Sequence, residues 1–194
     1  MSHRIREAMR SNQLDPFGGV GAAVKVDETF IGRDPDIKFK GAGFSHKMKV
    51  LALVDRQSGR SRAYVIESLK APEIAKIVFA NVYAESRLMT DEAGHYQPIG
   101  RHYAEHSTVN HKALEYGRGD IHTNTIEGYF SIFKRGMKGI YQHCAKKHLH
   151  RYLAEFDFRY SNRVALGYND AARADVLLSG IVGKRLTYQT VGRA

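Results

Sequence analysis

The chain has one cysteine, Cys144, no tryptophan and only four prolines among its 194 residues. A single cysteine excludes an internal disulfide and favours a reducing compartment. No apolar run approaches the ~20 residues that a membrane-spanning helix needs, and the N-terminus leads into no signal-peptide core. The sequence therefore predicts a cytoplasmic protein without a membrane partner.

Acidic residues are scarce relative to basic ones. Thirty Lys and Arg stand against twenty Asp and Glu, which gives a formal net charge of +10. Such an excess favours a polyanionic partner through counterion release, and nucleic acid is the first candidate, although many basic proteins bind none. With 43% hydrophobic residues, the chain is long enough for one globular domain with a substantial core.

Apolar patterns predict the order β-β-β-α-β in the first half of the chain. The predicted strands cover residues 24–30, 47–55, 61–67 and 87–90, and a helix begins at Pro72 before the fourth strand. Because such a crossover is right-handed, the fourth strand is expected beside the first and parallel to it. Further elements are predicted as a basic helix at 2–12, a strand at 106–110 and helices at 124–135, 145–162 and 169–178.

Three acidic positions are candidates for one metal site. Asp27 and Asp91 each end an apolar run, and Glu127 lies in the first turn of a predicted helix. Neighbouring strands lie about 4.8 Å apart, so the two aspartates could share a cation. Two strand-borne aspartates and a helix-borne acid suit paired divalent cations acting on phosphodiesters. Each aspartate taken alone also fits an ordinary turn or cap residue. Glu28 should point to the opposite face of its strand, behind the ligands.

The helix predicted from Asn124 carries polar residues at spacings of three and four. They are Asn124, Glu127, Ser131 and Lys134. Two interpretations of the first turn stay open, since Asn124 and Glu127 can form a capping box or present an oxygen atom to a hard cation. Lys134 is a candidate phosphate contact or a solvated surface lysine.

Residues 128–154 contain no acidic side chain. This stretch predicts a surface that follows a DNA backbone, and the alternative is a solvated helix face. The candidate DNA contacts are Lys134, Arg135, Lys138, Lys146, Lys147 and Arg151, with Tyr141 and several histidines between them. The histidines from position 95 to 122 lack the spacing of a zinc site, and no structural zinc is expected.

Several of these stretches resemble the catalytic part of bacterial insertion-sequence transposases of the ISXO2-like DDE family. They are Val26–Gly32, Thr90–Glu92, His122–Phe130 with Lys134–Gly136, and Arg151–Tyr160. The resemblance implies an α/β, ribonuclease-H-like fold with a mixed five-stranded sheet flanked by helices. It also implies that Asp27 and Asp91 are metal ligands, that Asn124 or Glu127 is the third, and that Lys134 completes the site.

The activity implied by this resemblance is cutting and joining of double-stranded DNA at element ends and target sites, with two Mg²⁺ or Mn²⁺ ions. Family members commonly act as multimers, but the sequence sets no oligomeric state. Residues 1–20 are interpreted as the tail of an upstream DNA-binding segment with a linker, 21–165 as the catalytic domain and 166–194 as a helical tail. Two alternatives stay open: a decayed remnant that only binds DNA, and a structure-selective nuclease of the same fold.

Overall fold

The computed structural model describes residues 2–11, 15–38, 43–109 and 124–184, and its centre is a mixed five-stranded sheet. Across the sheet the strands lie in the order β3-β2-β1-β4-β5. The pairs β1–β2 and β2–β3 are antiparallel, whereas β1–β4 and β4–β5 are parallel. The strands are β1 (Ala23–Ile31), β2 (Met48–Asp55), β3 (Ser61–Ile66), β4 (Arg87–Asp91) and β5 (Glu105–Val109). The predicted parallel return of the fourth strand beside the first is confirmed.

Helices cover both faces of this sheet. They are α1 (Ser2–Met9), α2 (Ala71–Asn81), α3 (Gln97–Gly100), α4 (Asn124–Gly136), α5 (Lys146–Ser161) and α6 (Asp170–Ser179). A 3₁₀ turn, Gly94–Tyr96, leads into α3, and a π-helical turn, Met137–Tyr141, extends α4. The sequence pattern predicted neither α3 nor these two turns, because each is too short to show a helical period. Another 3₁₀ turn, Val164–Leu166, precedes α6.

Side chains of β1 alternate between two hydrophobic cores. Lys25, Asp27 and Thr29 point to the face covered by α4 and α5, here called the α4 face, because successive strand residues point to opposite sides. Glu28 and its even-numbered neighbours point to the face covered by α2 and α3, here called the α2 face. Buried residues of the α4 face include Ile126, Tyr129, Phe130 and Phe133 from α4, and Leu149, Leu153 and Phe156 from α5.

Each fully buried side chain of this size contributes about 1.5–3 kcal/mol to stability. The aromatic face of α4 and the apolar stripe of α5 therefore hold both helices on the sheet. In doing so they bring the first turn of α4, which contains Glu127, to the face on which Asp27 lies. The packing thus brings the first turn of α4 to the side of the sheet on which the ends of β1 and β4 present Asp27 and Asp91.

The N-terminal helix α1 packs against α5 through a buried ion pair. The Arg6 Nε atom donates to a Glu155 carboxylate oxygen at 2.8 Å, and each side chain is only 8% exposed. The Arg6 guanidinium also lies over the Tyr152 ring at 4.1 Å. Within the described residues, α1 therefore packs with α5 in the layer of helices on the α4 face. The interpretation of residues 1–20 as the tail of an upstream segment stays a prediction, as do the other two boundaries.

Some predicted features lie outside the described residues. They fall on residues 12–14, 39–42, 110–123 and 185–194, and on the side chain of Asn124. They include the end of the predicted first helix, the start of the third family-like stretch and one candidate for the third ligand. In the part of the chain that is described, no helix has the length and apolar character needed to cross a membrane.

Candidate active site

Asp27 and Asp91 lie at the same level on adjacent parallel strands. The last backbone pair of the β1–β4 ladder is Lys25 with Met89, and each aspartate follows two residues later on the same face. Burial raises the pKa of the Tyr96 phenol well above the usual value, and the negative charges of Glu28, Asp27 and Asp91 raise it further. The register therefore assigns the two aspartates to corresponding positions on one face of adjacent strands.

Each aspartate accepts a hydrogen bond from a backbone amide that follows it closely in the chain. The Glu28 N–H donates to Asp27 Oδ1 at 2.7 Å, and the Ala93 N–H donates to Asp91 Oδ1 at 3.0 Å. Both carboxylates are only partly buried. These local hydrogen bonds restrict the side-chain rotamers, so the carboxylates do not depend on a cation for their orientation.

Glu28 points to the α2 face, as the two-residue period of the strand predicts. Its side chain is 9% exposed, and the Tyr96 hydroxyl donates to its Oε2 atom. Burial raises the pKa of Glu28 to about 7; the Tyr96 hydrogen bond opposes this rise and the Asp91 charge adds to it. The His95 Nε2 atom lies 3.0 Å from Glu28 Oε1, in a direction unsuited to a hydrogen bond.

His95 and Tyr96 are neighbours of the site that the sequence pattern did not indicate. Both belong to the 3₁₀ turn Gly94–Tyr96, which begins three residues after Asp91. Burial lowers the pKa of His95, although the Asp91 charge acts in the opposite direction. The only available signal was their position shortly after a candidate ligand, because a three-residue turn carries no periodicity.

Glu127 lies on the solvent-exposed side of the first turn of α4. Its charge acts on Lys25, which is two residues before Asp27 on the same face of β1. Burial lowers the pKa of Lys25 to about 8; the Arg56 charge lowers it further and the Glu127 charge raises it. Glu127 is thus near β1 on the α4 face.

Over the described ranges, no group of three or more His, Cys, Asp or Glu side chains is arranged to hold a metal ion. The Asn124 side chain lies outside the described residues. Glu127 is described, and it does not join Asp27 and Asp91 in such a group. The choice of the third ligand between Asn124 and Glu127 stays a prediction.

The candidate DNA contacts differ in exposure. Lys134 lies seven residues after Glu127 on the same side of α4 and is half-buried. Arg135 and Lys138 are exposed at the end of α4 and in the π-helical turn. Lys147, in the first turn of α5, is exposed too, and Arg151 is half-buried.

Lys146 differs from the other basic residues because its charge is balanced within the protein. Its Nζ atom lies 2.6 Å from a Glu67 oxygen, 2.9 Å from Asp34 and 3.5 Å from Asp36, and its side chain is 17% exposed. The hydrogen bonds to Glu67 and Asp34 raise the pKa of Lys146. These partners favour a structural link between the β1–β2 loop, the segment after β3 and α5, whereas the sequence suggested a DNA contact. Similarly, the Tyr141 hydroxyl points inward and donates to Glu155 at 2.5 Å.

Comparison with solved structures agrees with the fold class expected from the sequence. The structure is similar to the catalytic core domain of BIV integrase, with a TM-score of 0.50 and 15% identity over 81% of this chain and 93% of that chain. The HTLV-2 integrase catalytic core domain in complex with magnesium (dimeric form) gives a TM-score of 0.45 and 14% identity over 74% of this chain and 86% of that chain. Together with the strand order, the likeness to the BIV integrase core shows a ribonuclease-H-like α/β fold.

The family follows from the sequence profile. The profile of the ISXO2-like transposase domain matches residues 19–161, and the chain belongs to this family. The resemblance drawn from the sequence stretches is therefore confirmed. A search of curated proteins found no match.

Proposed function

We propose that this chain is the catalytic domain of an insertion-sequence transposase that cleaves DNA at the element ends and joins it to a target. Asp27 and Asp91 are the first two ligands of its divalent cations in this proposal. The carrying observation is the register of β1 and β4, which has both aspartates two residues beyond the Lys25–Met89 pair on one face. Membership of the transposase domain family supports the class of reaction.

The donor atoms fit magnesium or manganese. Carboxylate oxygens are hard ligands, and Mg²⁺ is commonly bound by one or two carboxylates together with substrate phosphates. The third oxygen in this proposal comes from Asn124 or Glu127 at the start of α4. Two divalent cations bound there would supply Lewis-acid activation of an attacking oxygen and would stabilise the charge on the departing one.

The protein's own contribution is to bind and orient the DNA strand. Lys134, on the same side of α4 as Glu127, is proposed to contact a phosphate next to the cleaved bond. Arg135, Lys138, Lys147 and Arg151 are proposed to bind the flanking backbone, where phosphate contacts set position rather than sequence. A homo-oligomer belongs to this proposal, because two element ends must meet at one target.

The test is a nicking and joining assay with Asp27→Asn and Asp91→Asn. The substrate is duplex DNA carrying the sequences that flank the coding region, in Mg²⁺ or Mn²⁺. Each substitution keeps the side-chain size and removes a charged ligand, so activity should fall by about 100-fold or more. Asp170→Asn is the matched control, since the Asp170 side chain is 94% exposed on α6.

The products separate the alternative functions. Cleavage without joining would assign the chain to structure-selective nucleases. A wild-type chain that binds DNA but leaves it intact, with no metal-dependent rise in melting temperature, would assign it to DNA-binding remnants.

A functional carboxylate site should raise the free energy of unfolding by about 2.7 kcal/mol at a cation concentration of 100 times Kd, and Asp27→Asn should abolish that rise. Undiminished cleavage by both asparagine variants would refute the proposed site.

A further inference from the structure

The separation between Asp27 and Asp91 is not maintained by the backbone ladder. The β1–β4 pairing runs from Ala23 with Arg87 to Lys25 with Met89, and both aspartates lie beyond its end. At this level β1 stays paired with β2, and β4 stays paired with β5. The pairing between β1 and β4 therefore ends, and the sheet opens between these two strands, where the candidate ligands lie.

A side-chain contact spans this opening on the α2 face. Glu28, next to Asp27, extends toward the turn that follows Asp91, where the fully buried Tyr96 donates its hydroxyl hydrogen to Oε2. His95, from the same turn, lies 3.0 Å from Oε1 and packs against Tyr96, with ring centroids 4.3 Å apart and the rings tilted by 49°. The turn is joined to Asp91 by the Ala93 amide, which donates to Asp91 Oδ1 at 3.0 Å.

A continuous path of contacts thus runs from one aspartate to the other. Asp27 accepts the Glu28 amide at 2.7 Å, and the Glu28 side chain accepts the Tyr96 hydroxyl. Ala93, directly before the turn that contains Tyr96, donates its amide to Asp91. A nearly buried carboxylate is costly in free energy, and it persists where partners compensate for the lost hydration. Groups behind metal ligands that fix their orientation typically change metal affinity 10–100-fold when they are removed.

We propose that Glu28 is a positioning residue, which ties the end of β1 to the turn after β4 and so holds Asp27 and Asp91 at the separation that a divalent cation requires. This inference rests on the proposed metal function and deepens it. Glu28 itself lies on the opposite face of the strand and does not bind the cation. Its effect is transmitted through the separation of the two aspartates.

The test is a Mn²⁺ titration of the full chain followed by electron paramagnetic resonance of the free ion, which needs no DNA and no turnover. Glu28→Ala should raise the Mn²⁺ dissociation constant about 10-fold. Glu28→Gln should stay within about 3-fold of wild type, because the amide oxygen still accepts the Tyr96 hydroxyl. Glu92→Ala is the matched control, since Glu92 follows Asp91 as Glu28 follows Asp27 but is exposed.

Tyr96→Phe removes the hydroxyl but keeps the ring, and it decides the question if Glu28→Ala does not fold. It too should weaken Mn²⁺ binding, and turnover should recover at saturating Mn²⁺. Wild-type affinity in the folded variants, even with a lowered melting temperature, would reduce Glu28 to a purely structural role and overturn the inference. Equal weakening by Glu28→Gln and Glu28→Ala would also overturn it, since charge and not the tie would then matter. A wild-type chain that binds no Mn²⁺ would instead refute the proposed function together with this inference.

Discussion

Replacing Asp157 by asparagine should change how the stability of the domain depends on pH. The Asp157 side chain extends from α5 and joins three elements. Its Oδ1 atom accepts the Ser61 hydroxyl at 2.9 Å and the Tyr129 hydroxyl at 2.8 Å, and its Oδ2 atom accepts the Ala63 amide at 2.9 Å. Ser61 and Ala63 belong to β3 and Tyr129 to α4, so this carboxylate links both major helices to the sheet.

The magnitude follows from the pKa of this carboxyl group. Burial raises the pKa of Asp157 from 3.8 to about 6, although its hydrogen bonds act in the opposite direction. The folded state therefore holds the proton more tightly than the unfolded state. The free energy of unfolding should fall as pH rises from about 4 to about 6 and should change little from this group above that range. A shift of about two units corresponds to about 3 kcal/mol, an upper limit because the residue keeps some solvent exposure.

Asp157→Asn removes the titration but adds a hydrogen-bonding conflict. If the amide oxygen keeps the two hydroxyl donors, the amide nitrogen faces the Ala63 N–H, and two donors then meet. An unpaired buried donor costs about 1–3 kcal/mol. The variant should therefore be less stable than wild type at pH 4, and the gap should narrow by up to about 3 kcal/mol by pH 7.

Urea unfolding followed by far-ultraviolet circular dichroism at pH 4, 5, 6 and 7 measures this gap. Other titrating groups are common to both proteins, so their contributions cancel in the difference. Asp170→Asn should follow wild type at every pH because Asp170 is exposed. Wild-type and Asp157→Asn stability curves that run parallel between pH 4 and pH 7 would refute the reasoning.

Three further substitutions test other parts of the fold and surface. Lys25→Met should raise the free energy of unfolding at pH 7, measured with urea, by up to about 3 kcal/mol. Burial lowers the pKa of Lys25 to about 8, and the Nζ atom has no hydrogen-bond partner among the described residues. That advantage should disappear as pH rises from 8 toward 10.5, where the lysine becomes neutral in both states. Arg6→Ala should lower the free energy of unfolding by about 3 kcal/mol, the lower end for a broken buried ion pair, because the Tyr141 hydroxyl still donates to the Glu155 carboxylate. A melting temperature within about 2 °C of wild type would contradict this expectation. A plot of log binding constant for duplex DNA against log salt concentration should be less steep by about 0.9 in Lys138→Ala. Lys76 is exposed on α2, across the sheet, and Lys76→Ala should leave this slope unchanged. Equal effects of the two substitutions would argue against the α4 side as the DNA surface.

Local patterns predicted most of the secondary structure and the first two candidate ligands. The apolar runs ending at Asp27 and Asp91 predicted two strands, and the right-handed crossover predicted that these strands are parallel neighbours. The two-residue period of β1 also predicted that Glu28 points away from Asp27. These inferences were reliable because strand direction, alternation and crossover hand depend on backbone stereochemistry, which every residue of a strand shares.

The tertiary structure alone decided which distant side chains meet. The sequence predicted that Lys146 faces DNA, but helix packing brings it to Asp34 and Glu67. Likewise, nothing in the local pattern indicated that Tyr96 would contact Glu28, 68 positions away. Such contacts depend on how separate elements pack, and periodicity within one element contains no information about the surface of another. The sequence by itself therefore determined the strands, their order and the ends at which the aspartates lie, whereas packing determined the environment that gives each charged group its role.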